Sequence, residues 1–66
     1  MNLELLKKCI TNSSYTHNEL AEVVGITIAT WYRKFKKGNF TVGEFLTIVK
    51  VLNLSKDQIL NILNLD

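Results

Sequence analysis

The sequence of 66 residues contains no proline, three glycines, one cysteine and one histidine. Because Cys9 is the only cysteine, no internal disulfide is expected. Cys9 and His17 together cannot supply the four ligands of a structural zinc ion, so no metal is expected. No motif in the sequence predicts a cofactor. Without proline and with little glycine, the helix ends have to be found from capping residues.

Long apolar runs are also missing. No segment approaches 18 apolar residues, and Glu4 and Lys7-Lys8 interrupt the start of the chain, so we expect neither a membrane span nor a secretion signal. A lone thiol suits a reducing, cytoplasmic environment. The composition, with 47% hydrophobic and 21% charged residues, is that of a folded protein. The length predicts one domain over residues 1–66.

Catalytic patterns are absent from the sequence. It offers no histidine paired with a carboxylate, no glycine-rich phosphate loop and no cluster of metal ligands. We therefore expect neither an enzyme nor a binding site for a small molecule.

Positive charge is concentrated in one stretch, although the formal net charge is only +2. No acidic residue lies between Glu22 and Glu44. Four bases fall inside that window: Arg33, Lys34, Lys36 and Lys37. A local basic block favours contact with a polyanion. The alternative is a solvated helix end, where cations are stabilised by the helix dipole.

Three capping boxes predict where helices begin. Each places a hydroxyl at the N-cap and a Glu or Gln three residues later, in the pairs Thr16–Glu19, Thr41–Glu44 and Ser55–Gln58. Each box also has an apolar residue before the N-cap and another four residues into the helix, which adds a hydrophobic staple. Helices are therefore predicted from residues 16, 41 and 55.

Two further helices are predicted, one from apolar spacing and one from Thr27 as an N-cap. Leu3, Leu6 and Ile10 predict an amphipathic helix ending near residue 12, and Gly25 ends the second helix. Residues 23–30 are rich in β-branched side chains, which would suit a strand, but a single strand has no partner and Thr27 is a plausible N-cap. The predicted fold is all-α, with five short helices near residues 2–12, 16–24, 27–37, 41–52 and 55–64.

The last two helices carry many apolar residues. The fourth is expected to bury a stripe of Val42, Phe45, Leu46, Val49 and Leu52. The fifth offers more apolar surface than one face needs: Ile59, Leu60, Ile62, Leu63 and Leu65. The first four of these are the predicted interface of a homodimer. Aromatic residues at helical spacing are expected in the core rather than on a stacking platform for single strands, and Cys9 is expected to be a small buried hydrophobe.

Residues 16–37 have the build of a helix-turn-helix. Ala21 is small where the second helix of the pair must cross closely. Gly25 supplies the backbone conformation of the turn, and Ile26 and Trp31 fill the wedge between the helices.

The stretch LAEVVGIT at residues 20–27, followed by TWYR at residues 30–33, resembles the Cro/repressor-like helix-turn-helix family, also called the XRE family. The similarity covers residues 3–64 and is particularly close to small Cro-like proteins of phages and prophages of Gram-positive bacteria. It implies a lambda-repressor-like domain that acts as a repressor in the bacterial cytoplasm. Such a protein binds a palindromic double-stranded DNA operator as a homodimer, with the third helix in the major groove.

The resemblance assigns DNA contacts to the third helix. The expected residues are Thr27, Ile28, Ala29, Tyr32 and Arg33. Arg33 suits bidentate recognition of guanine, with a plain phosphate contact as the alternative. Ile28 and Ala29 suit thymine methyl groups, with packing against the second helix as the alternative. Tyr32 either donates to a phosphate or covers the edge of the core.

Phosphate contacts are expected on both sides of that helix. His17 and Asn18 stand at the start of the second helix, where a phosphate is favoured; a histidine with no role in DNA binding is the alternative. Lys36, Lys37 and Asn39 are expected to contact phosphates from the end of the third helix and the loop after it.

A second functional hypothesis keeps the same fold but replaces DNA binding by binding to another protein. The modest net charge and the apolar Ile28 and Ala29 also fit a protein-interaction module, such as a phage-encoded inhibitor or antirepressor, with little specific DNA binding. The two hypotheses predict different partners for the same helix.

Overall fold

The computed structural model describes residues 1–64, in which five helices and no strand are present. The helices are α1 (Leu3–Thr11), α2 (His17–Val24), α3 (Ile28–Lys37), α4 (Val42–Leu52) and α5 (Lys56–Leu63). The all-helical prediction is confirmed. Residue Leu65, predicted to add to the apolar surface of the last helix, lies outside the described residues. None of the helices in the described part has the length and apolar character needed to cross a membrane.

Capping residues set the starts of the helices as predicted. All three capping boxes form: each N-cap hydroxyl accepts the N–H of the third helical residue, whose side chain accepts the N–H of the N-cap. Thr27 caps α3 by accepting from the N–H of Thr30. Asn2, which the sequence patterns do not single out, caps α1 by accepting from the N–H of Leu5 at 3.1 Å. These bonds satisfy donors that a helix start leaves open.

A short turn joins α2 to α3. Gly25 adopts φ +89°, a left-handed conformation that glycine reaches without a steric penalty. Its N–H donates to the carbonyl oxygens of Ala21 and Glu22, and the N–H of Ile26 also donates to Ala21. The chain therefore leaves α2 and enters α3 within the three residues 25–27.

The core draws on all five helices. Its buried members are Leu6, Ile10, Leu20, Ala21, Trp31, Phe45, Ile48 and Ile62. The helix α2 packs against α3 and α4, whereas α1 packs against α5. Cys9 is half-buried against this core, and its Sγ accepts a weak hydrogen bond from the Gln58 amide at 3.8 Å. The cysteine thus packs as a small hydrophobe, as predicted, but it is not fully enclosed.

The predicted buried stripe of α4 is partly wrong. Val42 is 77% exposed and Leu46 is 51% exposed, whereas Ile48, which the stripe omitted, is fully buried. Successive helical residues turn by about 100°. A face built on Phe45 and Ile48 therefore leaves Val42 and Leu46 to one side, and α4 carries more apolar residues than its buried face can use.

The predicted dimer surface on α5 needs a similar correction. Ile62 is fully buried within the subunit, so it is not available to a second copy. Ile59 and Leu63 are half-buried and pack against the core, and Leu60 is half-buried. The backbone N–H of Asn2 donates to the Ile62 carbonyl oxygen, which ties the start of α1 to this helix. Much of the apolar surface of α5 thus serves the fold itself.

Alanine substitution at two neighbouring positions of α4 tests the observed face. Ile48→Ala should lower the free energy of unfolding by about 2–5 kcal/mol, because it opens a cavity in the core. Leu46→Ala should lower it by less than about 1 kcal/mol, because half of that side chain already contacts water. Urea unfolding followed by circular dichroism measures both. Equal losses would contradict the placement of the two residues.

Candidate nucleic-acid interface

The indole of Trp31 fixes α3 against α2. Trp31 is fully buried, and its ring centroid lies 5.1 Å from that of Phe40 and 6.1 Å from that of Phe35. Its Nε1–H donates to Nδ1 of His17 at 2.9 Å. A buried indole N–H without an acceptor is costly, so His17 supplies from α2 the acceptor that Trp31 needs.

His17 is enclosed by α3 on several sides. Its ring centroid lies 5.9 Å from Trp31, 5.5 Å from Tyr32 and 5.4 Å from Phe35. Because Nδ1 accepts a hydrogen bond, the neutral ring carries its proton on Nε2. Burial lowers the pKa of His17, and the charge of Lys7 lowers it further. His17 was predicted as a phosphate contact, with a histidine that has no role in DNA binding as the alternative; in the structure its ring links α2 to α3.

The burial of Trp31 decides which residues of α3 face outward. At about 100° per residue, Ala29, Tyr32, Arg33 and Lys36 lie on the side away from Trp31. Nine of the ten predicted contact residues are exposed: Asn18, Thr27, Ile28, Ala29, Tyr32, Arg33, Lys36, Lys37 and Asn39. His17, the tenth, is half-buried. The outer face of α3 therefore consists of Ala29, Tyr32, Arg33 and Lys36, whereas Asn18 belongs to α2 and Asn39 to the loop after α3.

The exposure of Ile28, Ala29 and Tyr32 can be compared with the alternatives stated for them above. Ile28 is 36% exposed and Ala29 is exposed, so packing against α2 does not bury either of them. Tyr32 is 53% exposed, and its ring lies against that of His17. The apolar residues Ile28 and Ala29 thus lie at the surface of α3.

Lys34 differs from the other three bases of the block. Its Nζ donates to Oε1 of Glu44 at 2.9 Å, and both side chains are largely screened from solvent. The same oxygen accepts the backbone N–H of Thr41 at 2.8 Å. Both hydrogen bonds lower the pKa of Glu44, and the bond from Thr41 has the larger effect. Lys34 thus ties α3 to α4, and the exposed cations of the block are Arg33, Lys36 and Lys37.

Thr30 takes part in a chain of hydrogen bonds that was not predicted from the sequence. Its Oγ1 accepts from the Thr27 hydroxyl at 2.9 Å and from Nη2 of Arg33 at 3.3 Å. Its backbone N–H donates to Thr27 Oγ1 at 3.2 Å. The spacing of three residues from Thr27 to Thr30 and from Thr30 to Arg33 places the side chains on one helix face, and this spacing is the signal that would have found them.

A cleft of 380 Å³ lies away from these residues. It is formed by the C-terminal half of α1 together with the connection from α4 to α5, and it includes Cys9, Leu52 and Gln58. It shares no lining residue with the outer face of α3, so the two features are separate.

Comparison of the chain with protein-family models, with curated proteins and with solved structures gave no match. The resemblance to Cro/repressor-like proteins therefore remains a prediction from the sequence motif.

Mild acid is expected to destabilise the fold through His17. The pKa of His17 is lowered in the folded chain from an ordinary value of 6.5. The unfolded chain therefore takes up its proton at a higher pH than the folded chain does. The free energy of unfolding should fall as the pH drops below about 6.5, until the pH passes the lowered pKa of the folded state. Urea unfolding at a series of pH values measures this dependence.

Two variants isolate the histidine. His17→Gln retains an oxygen that can accept from Trp31 but does not titrate, so its stability should vary less over that pH range. Glu44→Gln should retain the wild-type pH dependence of stability in the range where His17 titrates. The pKa of Glu44 is lowered from an ordinary value of 4.5, so this carboxylate changes stability only at more acidic pH. An identical pH dependence in His17→Gln and the wild type would show that His17 does not carry the effect.

Proposed function

We propose that this protein is a sequence-specific, double-stranded DNA-binding transcriptional regulator with a lambda-repressor-like helix-turn-helix domain, and not an enzyme. In this proposal α2 and α3 form the motif, and α3 enters the major groove. The observation that carries it is the outer face of α3, where the cations Arg33 and Lys36 lie with Ala29 and Tyr32 on the side away from the buried Trp31. The resemblance suggests a Cro-like repressor of a phage or prophage, acting in the cytoplasm of the host bacterium.

The dimensions of α3 suit the major groove. Its ten residues span about 15 Å, and the groove, about 12 Å wide, admits one α-helix. The N-terminal half carries Ile28 and Ala29, which suit thymine methyl groups, and Arg33 suits the two acceptors on the edge of guanine. Tyr32, beside His17, is directed to the same surface and is proposed to contact the DNA backbone.

Phosphate contacts are proposed on either side of the groove. Lys36 and Lys37 lie in the last turn of α3, and Asn39 follows in the loop. At the other side, the N-terminus of α2 brings His17 and Asn18 together with open backbone N–H groups, which favour an anion. These contacts would orient α3 without selecting a sequence.

A palindromic operator calls for two copies of the chain. The Cα trace of one subunit measures 32 × 24 × 19 Å, and successive half-sites lie about 34 Å apart. One subunit has a single α3 and can therefore occupy only one half-site. We therefore propose a twofold homodimer. With Ile62 removed from the predicted interface, the candidate contact residues on α5 are Ile59, Leu60 and Leu63.

Selection of bound duplexes from a random library tests this function. At near-physiological salt, the chain should recover an inverted repeat whose half-sites are about ten base pairs apart, because a twofold dimer places its two α3 helices on one side of the DNA. Recovery of no consensus sequence would contradict the proposal.

Substitutions on α3 should separate specific from non-specific binding. Arg33→Ala should weaken binding to the selected duplex by about 1–3 kcal/mol per half-site and affect a scrambled duplex much less. Lys36→Ala should weaken both about equally and should reduce the salt slope by about one unit per subunit. Fluorescence anisotropy at several salt concentrations measures these effects. Lys56→Ala, on α5, is the control for loss of a charge elsewhere. Unchanged affinity in Arg33→Ala would show that Arg33 does not read the operator.

One observation favours a second candidate, a protein-interaction module. Val42 and Leu46 form exposed apolar surface one turn apart on α4, in addition to Ile28 and Ala29 on α3. If selection yields no consensus, a pull-down comparing the chain with Val42→Ser/Leu46→Ser becomes the deciding experiment. A partner retained only by the unsubstituted chain would support this candidate.

A further inference from the structure

The guanidinium of Arg33 is held over the first turns of α3. Its Nη2 donates to Oγ1 of Thr30 at 3.3 Å, three residues back along the helix. Helical side chains lean toward the N-terminus, so this contact lies along the natural direction of the arginine. It directs Arg33 toward the end of α3 that carries Ile28 and Ala29.

Thr30 is itself held in place from the helix start. The Thr27 hydroxyl donates to Thr30 Oγ1 at 2.9 Å, and Thr27 is fixed as the N-cap because it accepts from the Thr30 N–H. A hydroxyl oxygen accepts two hydrogen bonds, so Thr27 and Arg33 together fill the acceptor capacity of Thr30. A continuous chain of hydrogen bonds thus links the backbone at the start of α3 to the guanidinium.

The contact leaves Arg33 able to bind a ligand. A guanidinium carries five N–H donors, and Thr30 takes one, so enough remain for a bidentate contact. The ion pair found among residues 1–64 belongs to Lys34 and Glu44, and it leaves Arg33 out. Arg33 is therefore oriented by a neutral hydroxyl, which does not cancel its charge.

We propose that Thr30 is a positioning residue for DNA recognition, because its hydroxyl holds Arg33 in the direction needed to meet a base edge. This inference rests on the proposed function. Thr30 acts through Arg33, and removal of its hydroxyl frees a long side chain that must then be ordered on binding. The cost of ordering such a side chain corresponds to about a 2- to 10-fold loss of affinity for each half-site.

A double-mutant cycle distinguishes positioning from direct contact. The variants are Thr30→Val, which has nearly the same shape but no hydroxyl, Thr30→Ser, which retains it, Arg33→Ala, and the pair Thr30→Val/Arg33→Ala. Affinity is measured for the inverted-repeat duplex recovered by selection and for a scrambled duplex of equal length. Thr47→Val, which removes a hydroxyl bonded to the Gly43 carbonyl on α4, is the matched control for effects on helix stability.

Positioning predicts a specific pattern in the cycle. Thr30→Val should lose about 2- to 10-fold in affinity for the selected duplex and little for the scrambled one, and Thr30→Ser should restore binding. In the Arg33→Ala background the further effect of Thr30→Val should vanish. An equal loss in both backgrounds would mean that Thr30 contacts DNA itself, and it would overturn the inference.

A second readout does not depend on DNA. Arg33 is the only arginine in the sequence, so its Nε–Hε signal is unambiguous in an ¹⁵N spectrum. The order parameter of this group should fall in free Thr30→Val and remain at the wild-type value in Thr47→Val. If Thr30→Val changes neither the order parameter of Arg33 nor the affinity for the selected duplex, the inference is overturned, whereas the proposed function is not. A wild-type chain that prefers no duplex overturns both, whatever the order parameter shows.

Discussion

The hydrogen bond from the buried Trp31 indole to His17 is the constraint on which the arrangement of α2 and α3 depends. The indole is fully buried, so its N–H needs an acceptor within the protein, and that acceptor comes from the start of the preceding helix. Together with the left-handed turn at Gly25, this bond fixes how α3 is rotated about its own axis. Because Trp31 must face the core, the residues on the opposite side of α3 face solvent.

The charges of the basic block serve two purposes that do not conflict. Lys34 pairs with Glu44 and holds α3 to α4, whereas Lys36 and Lys37 project from the last turn of α3. Cations at a helix C-terminus are favoured by the helix dipole, so these lysines suit the fold while remaining available to a polyanion. The two interpretations of the basic block, a solvated helix end and a polyanion contact, are therefore compatible.

Local patterns in the sequence predicted the helices, because a capping box or a glycine at a helix end involves residues only three or four positions apart. The faces of α4 and α5 were harder to predict, since both helices carry more apolar residues than one face needs. Leu46 was wrongly placed inside and Ile62 wrongly placed outside for this reason. Which apolar residue is buried depends on the neighbouring helices, and the sequence pattern does not contain that information.

In the candidate site, too, some residues were predictable from the sequence and some contacts were not. The exposed residues of α3 were predicted from the family resemblance. The bond between His17 and Trp31 joins residues 14 positions apart, and the pair Lys34–Glu44 joins two helices, so neither was predictable from local spacing. The contact of Thr30 with Arg33 is local, and the three-residue spacing allows it, but spacing alone does not show that an uncharged threonine in the first turn of a helix holds an arginine.

The central claim is that the outer face of α3, held in place by Trp31 and His17, is the surface that binds DNA. Titration of ¹⁵N-labelled protein with the duplex recovered by selection tests it most directly. Amide signals of residues 27–37 and of His17 and Asn18 should shift most, and the single indole signal of Trp31 should remain that of a buried, hydrogen-bonded group. Shifts confined to α4 or α5, or no shifts at saturating duplex, would contradict the claim.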